Sequence, residues 1–500
     1  MEKKLAKLKS MLAEISDLGA IAQLMGWDQQ VNMPPGGAEA RGTQQATLQR
    51  LIHIKSTNPE LGKLLDDLKE YAKELDPDSD EAHLIKVAAR DYERDIKVPP
   101  AFMAERAKVA TLAQSAWEKA RETDDFSLFQ PHLEKVFDLA HQFVEFFAPY
   151  DHVYDPLLDI FEPGMKTEDV KRIFAALRPQ QVELIRAISE QPQVDDSFLH
   201  QDFEEQKQWD FGVDVITKFG YDWNRGRQDK AVHPFTTGFS INDVRITTRI
   251  HEDYLPSGLF STLHEGGHAI YAQGHAPELE RTPLVGGASL AIHESQSRMY
   301  ENLVGRSHDF WTYFYPKLQE TFPEQLGNID LETFYKGINK VEPSLIRVEA
   351  DEATYNMHIM LRLELEIAVM ENEIAVKDLP DAWNARMEEY LGITPPSNRD
   401  GVLQDVHWSS GSIGYFSTYA LGNLVSAQLW EKINQDIPDL SSQIQNGEFG
   451  NLLTWLRTNI HRHGRKYEPQ ELVERVTGSQ INAEPYMRYL KQKYGEIYGL

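Results

Sequence analysis

The segment His264-Glu265-Gly266-Gly267-His268 has residue types and a spacing that could hold a divalent metal ion and activate water. On a helix, His264 and His268 lie one turn apart on the same face, so both imidazoles can reach one Zn²⁺ at about 2.0–2.1 Å. Glu265 lies about 100° around the helix, out of reach as a ligand but close enough to act on water at the metal. The segment therefore predicts metal-assisted hydrolysis.

The alternative interpretation of this segment is a pair of solvated histidines on an ordinary helix. The two glycines argue against it, because each costs a helix about 1 kcal/mol relative to alanine. We expect them to let another element, or the substrate, come close to the helix.

A catalytic zinc site needs a third protein ligand and an open position for water. The candidate is Glu294, in the helical pattern that follows Gly286-Gly287. A helix antiparallel to the first would return this carboxylate to the height of the metal. Glu301, two turns further on, is the weaker candidate, and an exposed helix glutamate is the alternative without a metal.

Most of the chain has the apolar periodicity of helices with one buried face. The exception is residues 233–251, where β-branched and aromatic residues flank an Asn-Asp turn at 242–243 and predict a short antiparallel hairpin. We therefore expect a mainly α fold, one large helical domain with a small antiparallel β-sheet. The predicted helices cover residues 40–75, 79–150, 168–192, 256–274, 288–306, 345–372, 415–436 and 482–498, together with a pattern near the N-terminus.

Composition excludes several functional classes. The chain has 500 residues, no cysteine and a net charge of −27. The charge disfavours nucleic-acid partners, and the lack of cysteine removes thiolate metal sites and cysteine nucleophiles. Polar residues interrupt the N-terminal pattern where a signal peptide would be apolar, and no segment approaches the length of a membrane span. We therefore expect a cytoplasmic protein with no membrane partner.

Six ordered motifs resemble the carboxypeptidase Taq family of zinc-type metallocarboxypeptidases. The resemblance extends from about residue 20 to the C-terminus. The motifs are His233-Pro234-Phe235, Asp243-Val244-Arg245-Ile246-Thr247, the His264–His268 segment, His293-Glu294-Ser295-Gln296, Ile346-Arg347-Val348-Glu349-Ala350-Asp351, and Gly401-Val402-Leu403-Gln404-Asp405-Val406-His407-Trp408.

The resemblance implies a helical fold with a deep central groove between two lobes, shared distantly with angiotensin-converting enzyme and neurolysin. It implies a single domain over residues 1–500 and a cytoplasmic homodimer that removes residues from peptide C-termini with broad specificity. Zinc, or cobalt, would be bound by His264, His268 and Glu294, with Glu265 as the catalytic carboxylate.

An exopeptidase must also recognise a free carboxylate, for which the planar fork of arginine is suited. The leading candidate is Arg347, on a helix predicted to start near Ser344. From the residues alone, an ordinary surface pair with Asp351 is the preferred interpretation, whereas the resemblance favours contact with substrate. Arg245 and Arg249, on the hairpin, are alternatives or partners.

Further roles follow from the resemblance. By similarity to angiotensin-converting enzyme, His407 and Tyr415 would donate hydrogen bonds to the oxyanion of the tetrahedral intermediate; a Gly/Ser turn with a core aromatic is the alternative. Gln404 and His233 are expected to contact substrate. Gln296 is expected to contact the side chains that form the site rather than the metal or the substrate.

One position departs from thermolysin-like zinc sites, which have an aspartate four residues after the third ligand; here that residue is Arg298. Asp351 or a backbone carbonyl would then orient the histidines.

Other functions remain open at this point. A neurolysin-like oligoendopeptidase would use the same ligands in an open-ended groove. A non-catalytic peptide-binding protein predicts a broken ligand set or the loss of Glu265, and both are intact. A zinc aminopeptidase predicts a Gly-x-Met-Glu-Asn segment, which the chain lacks. The basic stretch His461–Lys466 predicts a solvated loop more than a partner-binding patch.

Overall fold

Helices dominate this protein, as the sequence patterns predict. The computed structural model describes all 500 residues. It contains 21 α-helices and three short strands. The expectation of a mainly α fold with a small sheet is therefore confirmed. No helix combines the length with the apolar character that crossing a bilayer would require.

The helices and strands follow one another in chain order. The first half contains α1 (Glu2–Val31), α2 (Ala38–Ser56), α3 (Pro59–Ala72), α4 (Asp80–Lys97), α5 (Pro100–Thr123), α6 (Phe126–Glu145), α7 (Asp155–Leu158), α8 (Thr167–Ser189), α9 (Glu205–Phe219), β1 (Gln228–Lys230), β2 (Thr236–Ser240) and β3 (Asp243–Thr248). The second half contains α10 (Leu255–Gln273), α11 (Leu290–Arg298), α12 (His308–Thr321), α13 (Pro323–Leu326), α14 (Leu331–Ile338), α15 (Tyr355–Met370), α16 (Leu379–Leu391), α17 (Ser417–Asp436), α18 (Leu440–Gln445), α19 (Gly450–Asn459), α20 (Pro469–Thr477) and α21 (Glu484–Tyr498).

Several predicted helix boundaries were wrong. The helical pattern predicted over 79–150 is divided among three helices, because Pro99-Pro100 separate α4 from α5 and Asp124 adopts a left-handed φ of 55° before α6. The helix predicted over 345–372 begins only at Tyr355. Before it, the Asp351 carboxylate accepts the backbone N–H groups of Ala353 and Thr354, which replaces helical hydrogen bonds with a local turn. Helices α7, α9, α12–α14, α16 and α18–α20 were not predicted.

The small sheet lies in the predicted place but is mixed rather than purely antiparallel. The predicted hairpin forms β2 and β3, which pair antiparallel with an irregularity between Gly238 and Ser240. The unpredicted strand β1 pairs parallel with β3, so the order is β1-β3-β2. Strand β2 is therefore an edge strand of the sheet.

Buried apolar side chains form two separate clusters. The larger contains 106 buried residues from α5 to the C-terminus. The smaller contains 11 residues, from α1, α3 and α4 together with Leu279 and Leu284. Helices α1, α3 and α4 thus share a core that is separate from the larger cluster, whereas α2 contributes no buried residue.

The basic stretch His461–Lys466 lies against the helices of the smaller cluster. Arg465 binds the Asp91 carboxylate on α4 through both terminal nitrogens, at 2.9 and 3.0 Å, and Lys466 binds Asp80 at 2.9 Å. His461 is fully buried. The prediction of a solvated loop was wrong, because these cations form ion pairs within the chain.

Gly267 allows α10 and α11 to cross at close range. A Cβ atom at this position would lie 2.7 Å from the carbonyl oxygen of Gln296 and 2.8 Å from the Cα of Ser297. Both of those atoms belong to the backbone of α11 and cannot move aside as a side chain can. The expectation that these glycines admit another element is confirmed for Gly267.

We predict that Gly267→Ala lowers the free energy of unfolding by about 1–3 kcal/mol, because the added methyl group forces the two helices apart. The control is Gly19→Ala in α1, where an added Cβ meets nothing within 4 Å. That variant should gain up to about 1 kcal/mol from helix propensity. Thermal denaturation followed by circular dichroism measures both. Equal midpoints for the two variants would contradict the close crossing.

Candidate active site

Three side chains from α10 and α11 converge on one point. His264 and His268 lie one turn apart on α10, and their Nε2 atoms are 3.6 and 3.4 Å from Oε2 of Glu294 on α11. All three potential ligand atoms lie within 4.8 Å of one another. The structure thus brings together the histidines and the leading candidate for the third ligand. Glu301, the weaker candidate, lies on the other side of His264.

The chemistry of these donors fits a divalent metal ion. Two imidazoles and one carboxylate are a ligand set of catalytic zinc sites. Burial alone would lower the pKa of His264, but the charge of Glu294 and the hydrogen bond and charge of Glu301 raise it to about 9. The carboxylates therefore favour positive charge between the three side chains. A metal ion there would supply that charge in place of a proton.

Each histidine is oriented by a neighbour on its other ring nitrogen. His264 Nδ1 lies 2.8 Å from Oε2 of Glu301, which directs its Nε2 towards Glu294. His268 Nδ1 lies 2.6 Å from Nδ1 of His293. Glu301 lies in a π-helical turn, Met299–Val304, that continues α11. Such turns are frequent at functional sites.

The structure does not bring the predicted supporting residues to the histidines. The Asp351 carboxylate bonds the turn before α15, because that helix starts later than predicted. The Gln296 side chain bonds Ser295 and His461. The sequence signal for Glu301 was its spacing of seven residues from Glu294, which places both on one helix face.

Arg298 holds the two glutamates of this centre. Its Nε donates to Oε1 of Glu294 at 2.7 Å, and its Nη1 donates to Oε2 of Glu301 at 3.2 Å. Burial alone would raise the pKa of Glu294, but the charges of Arg298 and His264 hold it well below its usual range. One oxygen of Glu294 is thus used by Arg298, and the other faces the histidines.

Glu265 lies beside this centre with its side chain directed to the sheet. It is 6% exposed, and its Oε2 accepts a hydrogen bond of 2.6 Å from the hydroxyl of Thr236 on edge strand β2. The same hydroxyl lies 3.0 Å from the backbone oxygen of Glu265. Sequence reasoning missed Thr236, since its role depends on the packing of the sheet against α10.

Arg347 belongs to a buried cluster of two guanidinium groups around one carboxylate. Its Nε and Nη2 donate to Oδ1 of Asp405 at 3.0 and 2.9 Å, and its Nη1 donates to the Tyr355 hydroxyl at 3.1 Å. Arg362 donates to Oδ2 of Asp405 at 2.7 Å. The pair of Arg347 with Asp351 is absent, because Arg347 lies in a short turn rather than in α15. The cluster has one positive charge in excess.

The other residues predicted to contact substrate differ in how many protein groups their side chains already bind. Arg245 is paired with Asp243 and stacks 4.3 Å from the centre of the Trp27 ring. Arg249 is exposed and bonds only the Val232 carbonyl, at 3.4 Å. The remaining two are Gln404, whose amide bonds the backbone of Leu345, Arg347 and Asp400, and His233, which is exposed before β2.

His407 and Tyr415 lie together at the two ends of the Gly/Ser-rich loop. Their rings are 5.3 Å apart, and His407 Nε2 lies 3.5 Å from the hydroxyl of Tyr419, which sequence reasoning missed. Burial and the nearby arginines lower the pKa of His407 to about 4, against the opposing charge of Asp405. The imidazole is therefore neutral at pH 7. Burial raises the pKa of Tyr415, and the charge of Glu294 adds to the rise.

Comparisons with known proteins identify the family to which the chain belongs. A family model described as carboxypeptidase Taq (M32) metallopeptidase matches residues 7–494. The chain is 42% identical to thermostable carboxypeptidase 1 of Thermus thermophilus over 497 residues, 97% of either chain. It is 39% identical to carboxypeptidase 1 of Bacillus subtilis, over 98% of this chain and 97% of that one.

Solved structures give the same result. The M32 carboxypeptidase from Deinococcus radiodurans R1 matches with a TM-score of 0.97 and 42% identity over 100% of both chains. Trypanosoma cruzi metallocarboxypeptidase 1 matches with a TM-score of 0.94 and 31% identity, over 99% of this chain and 100% of that one. The chain therefore belongs to the carboxypeptidase Taq (M32) metallopeptidase family.

Proposed function

We propose that this protein is a metallocarboxypeptidase that releases residues one at a time from peptide C-termini with broad specificity. The observation that carries the proposal is the convergence of His264, His268 and Glu294 beside Glu265. Family membership supports the reaction class. The same resemblance supports one functional domain over residues 1–500, a homodimer and a cytoplasmic location.

We assign the metal to His264, His268 and Glu294 and propose zinc, with cobalt as a substitute. The donor set supports this assignment, because imidazole nitrogen and carboxylate oxygen suit both ions. When bound, the ion polarises the scissile carbonyl and lowers the pKa of water.

Glu265 is the proposed general base. It removes a proton from water as the water oxygen adds to the scissile carbonyl carbon, and it then passes this proton to the leaving amine nitrogen as the C–N bond breaks. The Thr236 hydroxyl orients the carboxylate for both transfers.

His407 and Tyr415 are the proposed donors to the oxyanion that forms on the carbonyl. A lowered pKa keeps His407 neutral, so it can donate one N–H without bringing a charge that titrates near pH 7. The raised pKa of Tyr415 keeps its phenol protonated and able to donate.

Arg347 is the proposed site for the C-terminal carboxylate of the substrate. Two of its five N–H groups remain without a protein acceptor after those used by Asp405 and Tyr355. Arg249 is the alternative, because it has no carboxylate partner. We assign Arg245, Gln404 and His233 to the walls around the substrate.

The first experiment uses a matched series of N-blocked and C-amidated peptides, with mass spectrometry as the readout. We expect N-blocked peptides to shorten from the C-terminus and C-amidated peptides to persist. Treatment with a chelator should stop the shortening, and added Zn²⁺ or Co²⁺ should restore it. Internal cleavage of the amidated peptides would instead indicate an oligoendopeptidase.

We predict that Glu265→Gln lowers kcat by about 10²–10⁴-fold, because the amide cannot accept the proton of water. The number of metal ions bound per chain, measured by inductively coupled plasma mass spectrometry of the acid-digested protein, should stay unchanged. The control is Glu278→Gln, at an exposed position beyond the end of α10. A Glu265→Gln enzyme with normal turnover would refute the role.

We predict that Arg347→Lys lowers kcat/KM for free-acid peptides by about 10²-fold, since lysine keeps the charge beside Asp405 but loses the planar fork. The slow background cleavage of amidated peptides should not change. Arg249→Ala, assayed in parallel, should change kcat/KM less than threefold. The reverse pattern would assign the carboxylate to Arg249, and equal losses on both peptide types would rule out recognition of the carboxylate by Arg347.

A further inference from the structure

Glu366 is a fully buried carboxylate that the proposed reaction does not use. It lies on α15, one turn after Arg362. Its Oε1 accepts a hydrogen bond of 2.7 Å from the indole Nε1 of Trp408. Its Oε2 accepts a bond of 2.9 Å from the backbone N–H of Gly414 and another from the hydroxyl of Tyr154. Three donors from two other segments thus converge on one side chain.

The two loop donors are the immediate neighbours of the proposed oxyanion donors. Trp408 follows His407, and Gly414 precedes Tyr415. Between these two donors, the loop contains only small or flexible residues apart from one isoleucine. Because both ends of the loop bond the same carboxylate, Glu366 links those two ends directly.

The backbone at Gly414 is built for this contact. Its φ of 98° is a conformation that favours glycine, and a Cβ atom there would lie 2.6 Å from the carbonyl oxygen of Leu157. At the other end of the loop, the Trp408 ring packs edge-on against Phe137 and Trp383. Both ends are therefore held in a single arrangement.

No cation neutralises Glu366 directly. Arg362, one turn away, donates to Asp405 instead. The carboxylate is stabilised by its three hydrogen-bond donors, although burial raises its pKa to about 7. A glutamine of the same shape has one acceptor oxygen, and its NH₂ group would face a donor. The site thus requires two acceptor oxygens rather than a particular volume.

We propose that Glu366 is a positioning residue for catalysis, which fixes the separation of His407 and Tyr415 by holding both ends of the loop between them. The inference rests on the proposed function, in which these two side chains are the oxyanion donors. Displacement of a catalytic group by about 1 Å can cost about 10²-fold in rate. Loosening the loop should therefore lower turnover without weakening substrate binding.

The experiment measures kcat, KM and metal content for Glu366→Gln, Tyr415→Phe and the double variant. We expect Glu366→Gln to lower kcat about tenfold, with KM within twofold and bound metal unchanged. The loss in the double variant should be at least threefold smaller than the product of the single losses, because both changes act on one interaction. The control is Glu364→Gln on the same helix, where the partners are Arg178 and Tyr390; its kinetics should match the parent.

Trp408→Phe is the second variant, used if Glu366→Gln does not fold. It removes one donor while keeping an aromatic ring, and it should lower kcat with the same non-additivity towards Tyr415→Phe. Normal kcat in either variant, or losses that multiply, would overturn the positioning role alone. Normal kcat in Tyr415→Phe would remove Tyr415 from the proposed function, and the coupling to Glu366 would be overturned with it.

Discussion

The placement of Glu294 opposite the two histidines depends on two close approaches that leave no room for a side chain. On α10, a Cβ at Gly267 would lie 2.7 Å from the backbone oxygen of Gln296. On α17, a Cβ at Gly422 would lie 2.7 Å from both Cβ and Cγ of Glu294. Close-packed interiors do not absorb an extra methyl group without moving backbone. The geometry of the metal centre is thus set by α10 on one side of α11 and by α17 on the other.

The site contains two buried clusters of side chains with opposite net charge. Beside the histidines, two glutamates share one arginine, Arg298, so the region attracts a cation. Around Asp405, two arginines share one aspartate, so the region attracts an anion. A chain with a net charge of −27 can bind a carboxylate only through such a local excess of cations. The charges of the two regions are those that the proposed metal ion and the proposed contact with a C-terminal carboxylate require.

The local parts of the site and the approach of Glu294 to the histidines could be predicted from the sequence, and most of the other long-range contacts could not. The spacing of His264 and His268 on one helix face is a local property, and the spacing between Glu294 and Glu301 follows the same rule. The position of Asp351 depends on where α15 begins. The bonds of the Asp351 carboxylate to the backbone of Ala353 and Thr354 form a turn there and delay the start of the helix. Strand β1 and the contact of Thr236 with Glu265 depend on packing between distant segments, for which local periodicity carries no signal.

Helix α15 carries buried polar side chains on one of its faces. Tyr355, Arg362 and Glu366 lie at intervals of seven and four residues, which places them on the same face of the helix. These side chains meet two segments. Tyr355 meets Arg347 before the helix, whereas Arg362 meets Asp405 and Glu366 meets both ends of the loop that follows His407, all between α16 and α17. Because the helix is buried, none of these polar groups can be hydrated, and each requires a protein partner. This face of α15 therefore binds two otherwise irregular segments to one rigid element, which explains how loops without regular structure are held in place.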